Sequence, residues 1–267
     1  MLASAKPWLG LDFKCYLERR GDYSAFHQVV LMNGYRELLG AIEEGDAVVD
    51  AGANIGCFSL SASRLVGKGG IVVAVEPEPH NAEILRRNIR LNEANNVLVV
   101  EKALWSSPGV ALRISDEGAG SSIGSGGSEV VATTLDEISR EMGIRPEVLK
   151  MDIEGSEGAA LSAAGGALEN LRIAEIEVHD QLNMRMVAEA LSGFRLEEKR
   201  ADEIGRAVAR ALRHPLGALN LEVHNRFRTT SRVVRALLAG GTPGRFPLVV
   251  IARRRSGQKR PFMASNI

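Results

Sequence analysis

The residues 47–60, AVVDAGANIGCFSL, are the first whose types and spacing could do chemistry: an apolar run ends at Asp50, a glycine turn follows, and a helix opens near Gly56. Gly52 and Gly56 would let the backbone bend sharply and approach a ligand where a Cβ would obstruct it, with Ala53 and Asn54 filling the turn. The spacing is GxxxG, not the GxGxxG that cradles a pyrophosphate, which suits a nucleoside ligand without a diphosphate. In IVVAVEPEP a second run ends at Glu76, roughly 20 residues after the turn, where a carboxylate accepts hydrogen bonds from ribose hydroxyls.

Two further clusters follow. In NVLVVEKAL, Glu101 and Ala103 follow a third run and would lie beside an adenine ring. In VLKMDIEGSEGAAL and AEIEVHD, Asp152 and Glu154 close one run and Glu177 and His179 the next. The carboxyl ends of parallel strands are where an open α/β sheet binds ligands, so these four polar groups should border the reacting centre. Glu177 and His179 are two apart and are expected on one face of their strand. Together the clusters fit S-adenosyl-L-methionine, with Asp50 beside its amino acid portion and sulfonium and Glu76 on its ribose.

Positioning these residues requires a parallel sheet. The runs Ala47 to Ala51, Ile71 to Val75, Val97 to Val100, Val148 to Asp152 and Ile173 to Val178 are apolar along most of their length, as strands buried on both faces must be, and most are separated by stretches with helical spacing. The predicted fold class is therefore α/β, a doubly wound sheet. Val110 to Ser115 and Val130 to Thr133 read as an antiparallel excursion with a glycine-rich tip. Residues 1–44 are expected to form a helical lid segment and 45–201 the cofactor-binding core. Residues 202–246 read as an arginine-rich helical insertion, broken at Pro215, and 247–267 as the last strand and a tail.

Composition excludes several classes. A hydrophobic share of 45% with 25% charged residues fits a globular domain, neither disordered nor fibrous, and 4% aromatic residues is too few for a base-stacking single-strand binder. Cys15 and Cys57 form no metal-binding or disulfide framework, and no run approaches the length needed to span a bilayer. A cytoplasmic protein without a membrane partner is expected. The zero net charge hides an asymmetry, because the arginine-rich stretch beyond residue 201 faces only Asp202, Glu203 and Glu222.

With these residues in order, the chain resembles the FkbM family of methyltransferases. The family pattern DxGANxG, EPxP, TLD, KxDxEGxE and ExH appears as DAGANIG from Asp50, EPEP from Glu76, TLD from Thr134, KMDIEGSE from Lys150 and EVH from Glu177. The resemblance spans roughly residues 45 to 180. It implies the class I, Rossmann-like methyltransferase fold and O-methylation of a hydroxyl on a small molecule or glycan.

His179 is then the first candidate for the base that takes the acceptor's proton, with Asp152 or Glu154 second. Asp152, Glu177 and His179 could instead hold a divalent cation, although the sequence assigns no metal site. Two other readings use the arginine-rich region: a phosphate-binding surface for an RNA acceptor, or the subunit interface of a non-catalytic assembly protein or homo-oligomer.

Overall fold

The structure, a computed structural model, describes residues 1–5, 12–31, 34–115, 123–124, 126–199 and 248–255. The proposed insertion at 202–246 and the tail beyond 255 lie outside the described residues.

Five strands coincide with the apolar runs: β3 (Ala47–Ala51), β4 (Ile71–Val75), β5 (Val97–Val100), β9 (Val148–Met151) and β10 (Ile173–Val178). With β11 (Phe194–Lys199) and β12 (Leu248–Arg254) they form a seven-stranded sheet in the order β11-β12-β10-β9-β3-β4-β5. The pairs among β3, β4, β5, β9 and β10 are parallel, while β12 runs antiparallel to both β10 and β11. The chain moves outward from β3 to β5 and then returns to lay β9 on the other side of β3. That reversal opens a crevice beyond the carboxyl ends of β3 and β9.

Side-chain alternation divides the core into two. Val48, Val72, Val97 and Val148 face helices α3 (Cys57–Val66) and α4 (Pro79–Leu91) together with the N-terminal segment. Val49, Val73, Leu149 and Ala174 face the opposite layer, α5 (Leu135–Met142), α6 (Glu157–Ser162) and α7 (Gln181–Ala190). Because both faces are covered, the strands can be apolar throughout. Helix starts are set by side chains: Glu78 caps α4 ahead of Pro79, Thr134 caps α5, and Asp180 caps α7.

The excursion is present as β7 (Ala111–Ile114) paired antiparallel with β8 (Ser128–Thr133), beside the short β6 (Ala103–Leu104). The N-terminal segment is less uniformly helical than its sequence suggests. It opens with a two-stranded antiparallel sheet, β1 (Leu2–Ala5) and β2 (Phe13–Tyr16), before α1 (Arg20–Phe26), a π-helical turn at His27–Leu31 and α2 (Arg36–Leu39). Asn88 of α4 and Asn92, the C-cap that follows it, complete the free edge of β2: Asn88 accepts from the Tyr16 amide at 2.7 Å and Asn92 from the Lys14 amide at 2.8 Å. Satisfying those backbone groups pins the segment to the body of the domain.

Candidate active site

A cavity lies at the carboxyl ends of the central strands, between the glycine turn and the N-terminal segment. Gly52, Ala53 and Asn54 line it from the turn after β3, Glu76 from just past the end of β4, Ala103 from β6, and Lys150, Asp152 and Glu154 from β9 and its loop. Glu177 of β10 and Gln28 and Tyr35 of the N-terminal segment complete the wall.

Gly52 has φ +75°, and a Cβ there would stand 1.9 Å from the carbonyl oxygen of Asp152. Only glycine permits this close approach of the two strand-end loops. Gly56, at φ +91°, also takes a left-handed backbone that favours glycine, but what a Cβ there would meet is Leu85 Cδ1 of α4, at 2.4 Å, and not the neighbouring strand-end loop. It therefore serves the packing of α3 on α4 and is not among the residues lining the cavity.

Glu76 is 5% exposed and forms part of the cavity wall. Its Oε2 accepts from the Asn54 amide at 2.7 Å and its Oε1 from the Glu78 amide at 3.0 Å, with Asn81 Nδ2 at 3.4 Å. A carboxylate has about four lone-pair sites, which leaves capacity for a hydroxyl donor. Burial pushes the Glu76 carboxyl up to about 7, against the lowering effect of those hydrogen bonds. The two acids of EPEP thus divide the work, Glu76 facing the cavity and Glu78 capping α4.

Asp50 is not at the cavity wall, contrary to the sequence expectation. Strand alternation places it on the face covered by α3, completely buried, where Ser59 Oγ donates to Oδ2 at 2.5 Å and Lys150 Nζ stands 3.2 Å from Oδ1. Lys150, directly opposite in register, also donates to the carbonyls of Gly52 at 2.6 Å and Ala51 at 3.2 Å. The pair is a strut under the glycine turn. Burial would lower the lysine pKa, but Asp50 and Asp152 outweigh it and the net shift is upward, so the ammonium is retained.

The acidic end of the cavity converges as expected, with one difference. Glu154 Oε2 and Asp152 Oδ1 stand 3.2 and 3.8 Å from His179 Nε2, and Glu157 Oε1 lies 2.9 Å from Nδ1. β10 ends at Val178, so His179 leaves the strand register and meets α6 instead of sharing the cavity wall with Glu177. Burial depresses the imidazole pKa, but hydrogen bonds to Glu154 and Glu157 outweigh it and raise it to about 11. His179 is not among the residues lining the cavity and both of its ring nitrogens face carboxylates, so the geometry places Glu177, not His179, where an acceptor's proton could be taken.

Glu177 is pushed up to about 8, first by burial and then by the charge of Asp152. Burial likewise raises Asp152, against the pull of Lys150. Gln28 Nε2 donates to Glu177 Oε2 at 3.3 Å and lies 3.4 Å from the Tyr35 hydroxyl, which in turn donates to Asp152 Oδ2 at 3.4 Å. The Tyr35 ring packs edge-on against Phe58 at 5.4 Å. Neither Gln28 nor Tyr35 carries a motif, and only the packing of the N-terminal segment reveals them. Glu101 points away, paired with Arg86 at 2.8 Å, whereas Ala103 does line the cavity.

The sheet order, with its antiparallel strand between β10 and β11, and an acidic residue facing a glycine turn across the strand ends define a class I methyltransferase fold. The methyltransferase FkbM domain matches residues 50–197, and the chain belongs to that family. The hexuronic acid methyltransferase AglP of Haloferax volcanii is 28% identical over 166 residues, covering 60% of this chain and 67% of that protein. Protein-L-isoaspartate O-methyltransferase 1 of Archaeoglobus fulgidus is 39% identical over 77 residues, 29% of this chain and 34% of its own, so the chain spans about a third of that relative's length. A SAM-dependent O-methyltransferase structure from Thermotoga maritima covers 85% of this chain and 66% of its own, at 14% identity and a TM-score of 0.44. At that distance the fold assignment rests on the strand order itself. No described helix is long and apolar enough to cross a membrane.

Proposed function

We propose that the protein transfers a methyl group from S-adenosylmethionine to a hydroxyl of a small molecule or glycan. The observation that carries this reading is Glu76, a buried carboxyl facing the cavity across from Gly52, Ala53 and Asn54. There it would accept the ribose hydroxyls, Ala103 would lie along the adenine, and the bare backbone at Gly52 would admit the methionine end. The Asp50–Lys150 strut would act indirectly, holding the turn in shape. The named substrate of AglP, a hexuronic acid, supports a glycan-type acceptor.

The acceptor would enter at the end lined by Asp152, Glu154, Glu177, Gln28 and Tyr35, a set suited to hydrogen-bonding hydroxyls. Methyl transfer from a sulfonium is an in-line displacement, so alignment supplies most of the rate, on the order of 7–11 kcal/mol of barrier. Glu177 is the base in this reading: its carboxyl lies in the wall, its pKa is near the operating range, and the positive sulfonium would favour its ionised form. His179 would hold Glu154 and Glu157 in place.

The test is calorimetry with S-adenosylmethionine, then incubation with a panel of sugars and glycosides while monitoring the mass gain of one methyl group. Cofactor binding that is lost in Glu76→Ala is expected. Undiminished binding by that variant would remove the ribose assignment, and a parent protein that ignores the cofactor would end the reading.

A further inference from the structure

At the acidic end of the cavity, the nitrogen of one imidazole and one oxygen from each of two carboxylates lie within 4.8 Å of one another: His179, Asp152 and Glu154. Two ligand atoms about 2.1 Å from a common ion stand about 3.0 Å apart at a right angle and about 3.4 Å apart in a tetrahedron. The observed separations from Nε2, 3.2 Å to Glu154 and 3.8 Å to Asp152, need only small side-chain adjustment to reach such an arrangement. Asp152 and Glu154 also line the cavity, which gives an ion a way in and leaves positions for ligands from solvent or substrate.

A second observation comes from outside this trio. Glu157 is fully buried and reaches the far side of the imidazole, its Oε1 2.9 Å from Nδ1. Its other oxygen, also buried, has no hydrogen-bond partner among the described residues. A carboxylate behind the ring fixes the tautomer that presents Nε2 as a donor atom and makes that nitrogen a stronger ligand. The fixed cation nearby, Lys150, is hydrogen-bonded to two backbone carbonyls and paired with Asp50, and it acts on Asp152 only through space. Three carboxylates therefore surround one imidazole, an excess of negative charge that a dication would offset.

We propose that Asp152, Glu154 and His179 bind a divalent cation, with Glu157 as the carboxylate that orients the histidine. Glu154 takes the place that the sequence suggested for Glu177, which stays in the cavity wall beside Gln28. On binding, the imidazole gives its Nε2 proton to solvent and the nitrogen lone pair goes to the ion. Under the methyl-transfer reading the ion would stand at the acceptor end and lower the pKa of a hydroxyl bound to it. Ion binding itself does not require that reading to hold.

The experiment titrates Mn²⁺ alone into the full chain without cofactor and follows the free ion by electron paramagnetic resonance. One ion per chain is expected in the parent. Asp152→Asn and Glu154→Gln should lose it, and Glu157→Gln should weaken it on the order of 10–100-fold. Circular dichroism of each variant serves as the folding control, and S-adenosylhomocysteine binding reports separately on the methyltransferase reading. A parent shown to be folded by circular dichroism that takes up no Mn²⁺ at about 1 mM, or folded Asp152 and Glu154 variants that bind the ion as well as the parent does, would overturn the proposal.

Discussion

Lowering the pH should weaken cofactor binding through one carboxyl. Glu76 is held at about 7 by its burial, and the bound ribose would be served by its ionised form. If only that form binds, the apparent dissociation constant is the intrinsic one divided by the ionised fraction. That fraction is about 0.9 at pH 8, 0.5 at pH 7 and 0.09 at pH 6, so affinity should fall roughly tenfold between pH 8 and pH 6. Calorimetry at the two pH values, on the parent and on Glu76→Gln, measures this. The variant should bind more weakly and lose the tenfold slope, while any slope common to both belongs to the ligand or to other groups such as Glu177. A parent whose affinity is the same at both pH values, or a variant that keeps the full slope, would refute the reasoning.

Other expectations follow from the same geometry. Since the folded Glu76 carboxyl keeps its proton to about 7 but the unfolded one loses it near 4.5, its contribution to stability is present below 4.5 and lost as the pH rises to 7; denaturant titrations of Glu76→Gln should lack that decline. Gly52→Ala forces a left-handed backbone on alanine, at about 1–2 kcal/mol, and drives its Cβ into the Asp152 carbonyl; the melting temperature should fall and cofactor affinity with it. Lys150→Met strands the buried Asp50 charge and should cost about 3–5 kcal/mol in denaturant unfolding, whereas an unchanged midpoint would rule out the strut. Glu177→Gln should lower kcat by about 10²–10⁴ with cofactor binding intact, and the parent's rate should rise with pH as this group ionises.

The sheet was legible because strands buried on both faces must be apolar along their length, and β3, β4, β5, β9 and β10 are such runs. Glu76 was legible because it stands at the end of the strand one βαβ unit after the glycine turn, and the structure sets its carboxylate against the Asn54 amide of that turn. Asp50 misled because a strand residue's face depends on its parity against neighbours, and its partner Lys150 is 100 residues away in the chain. Glu101 misled because a strand-end acid looks the same whether it meets a ligand or, as here, Arg86. His179 was located correctly among carboxylates, but its protonation depends on Glu157 as well as Glu154, and no spacing rule reports a pKa. Gln28 and Tyr35 belong to no motif, and their place at the site shows only in contacts with residues distant in the chain, Glu177, Asp152 and Phe58.

The most direct measurement is a crystal structure with S-adenosylhomocysteine bound. The ribose hydroxyls should lie within hydrogen-bond distance of the Glu76 carboxylate, with the sulfur directed towards Asp152 and Glu177. A nucleoside bound elsewhere, or one whose ribose leaves Glu76 untouched, would contradict the central claim.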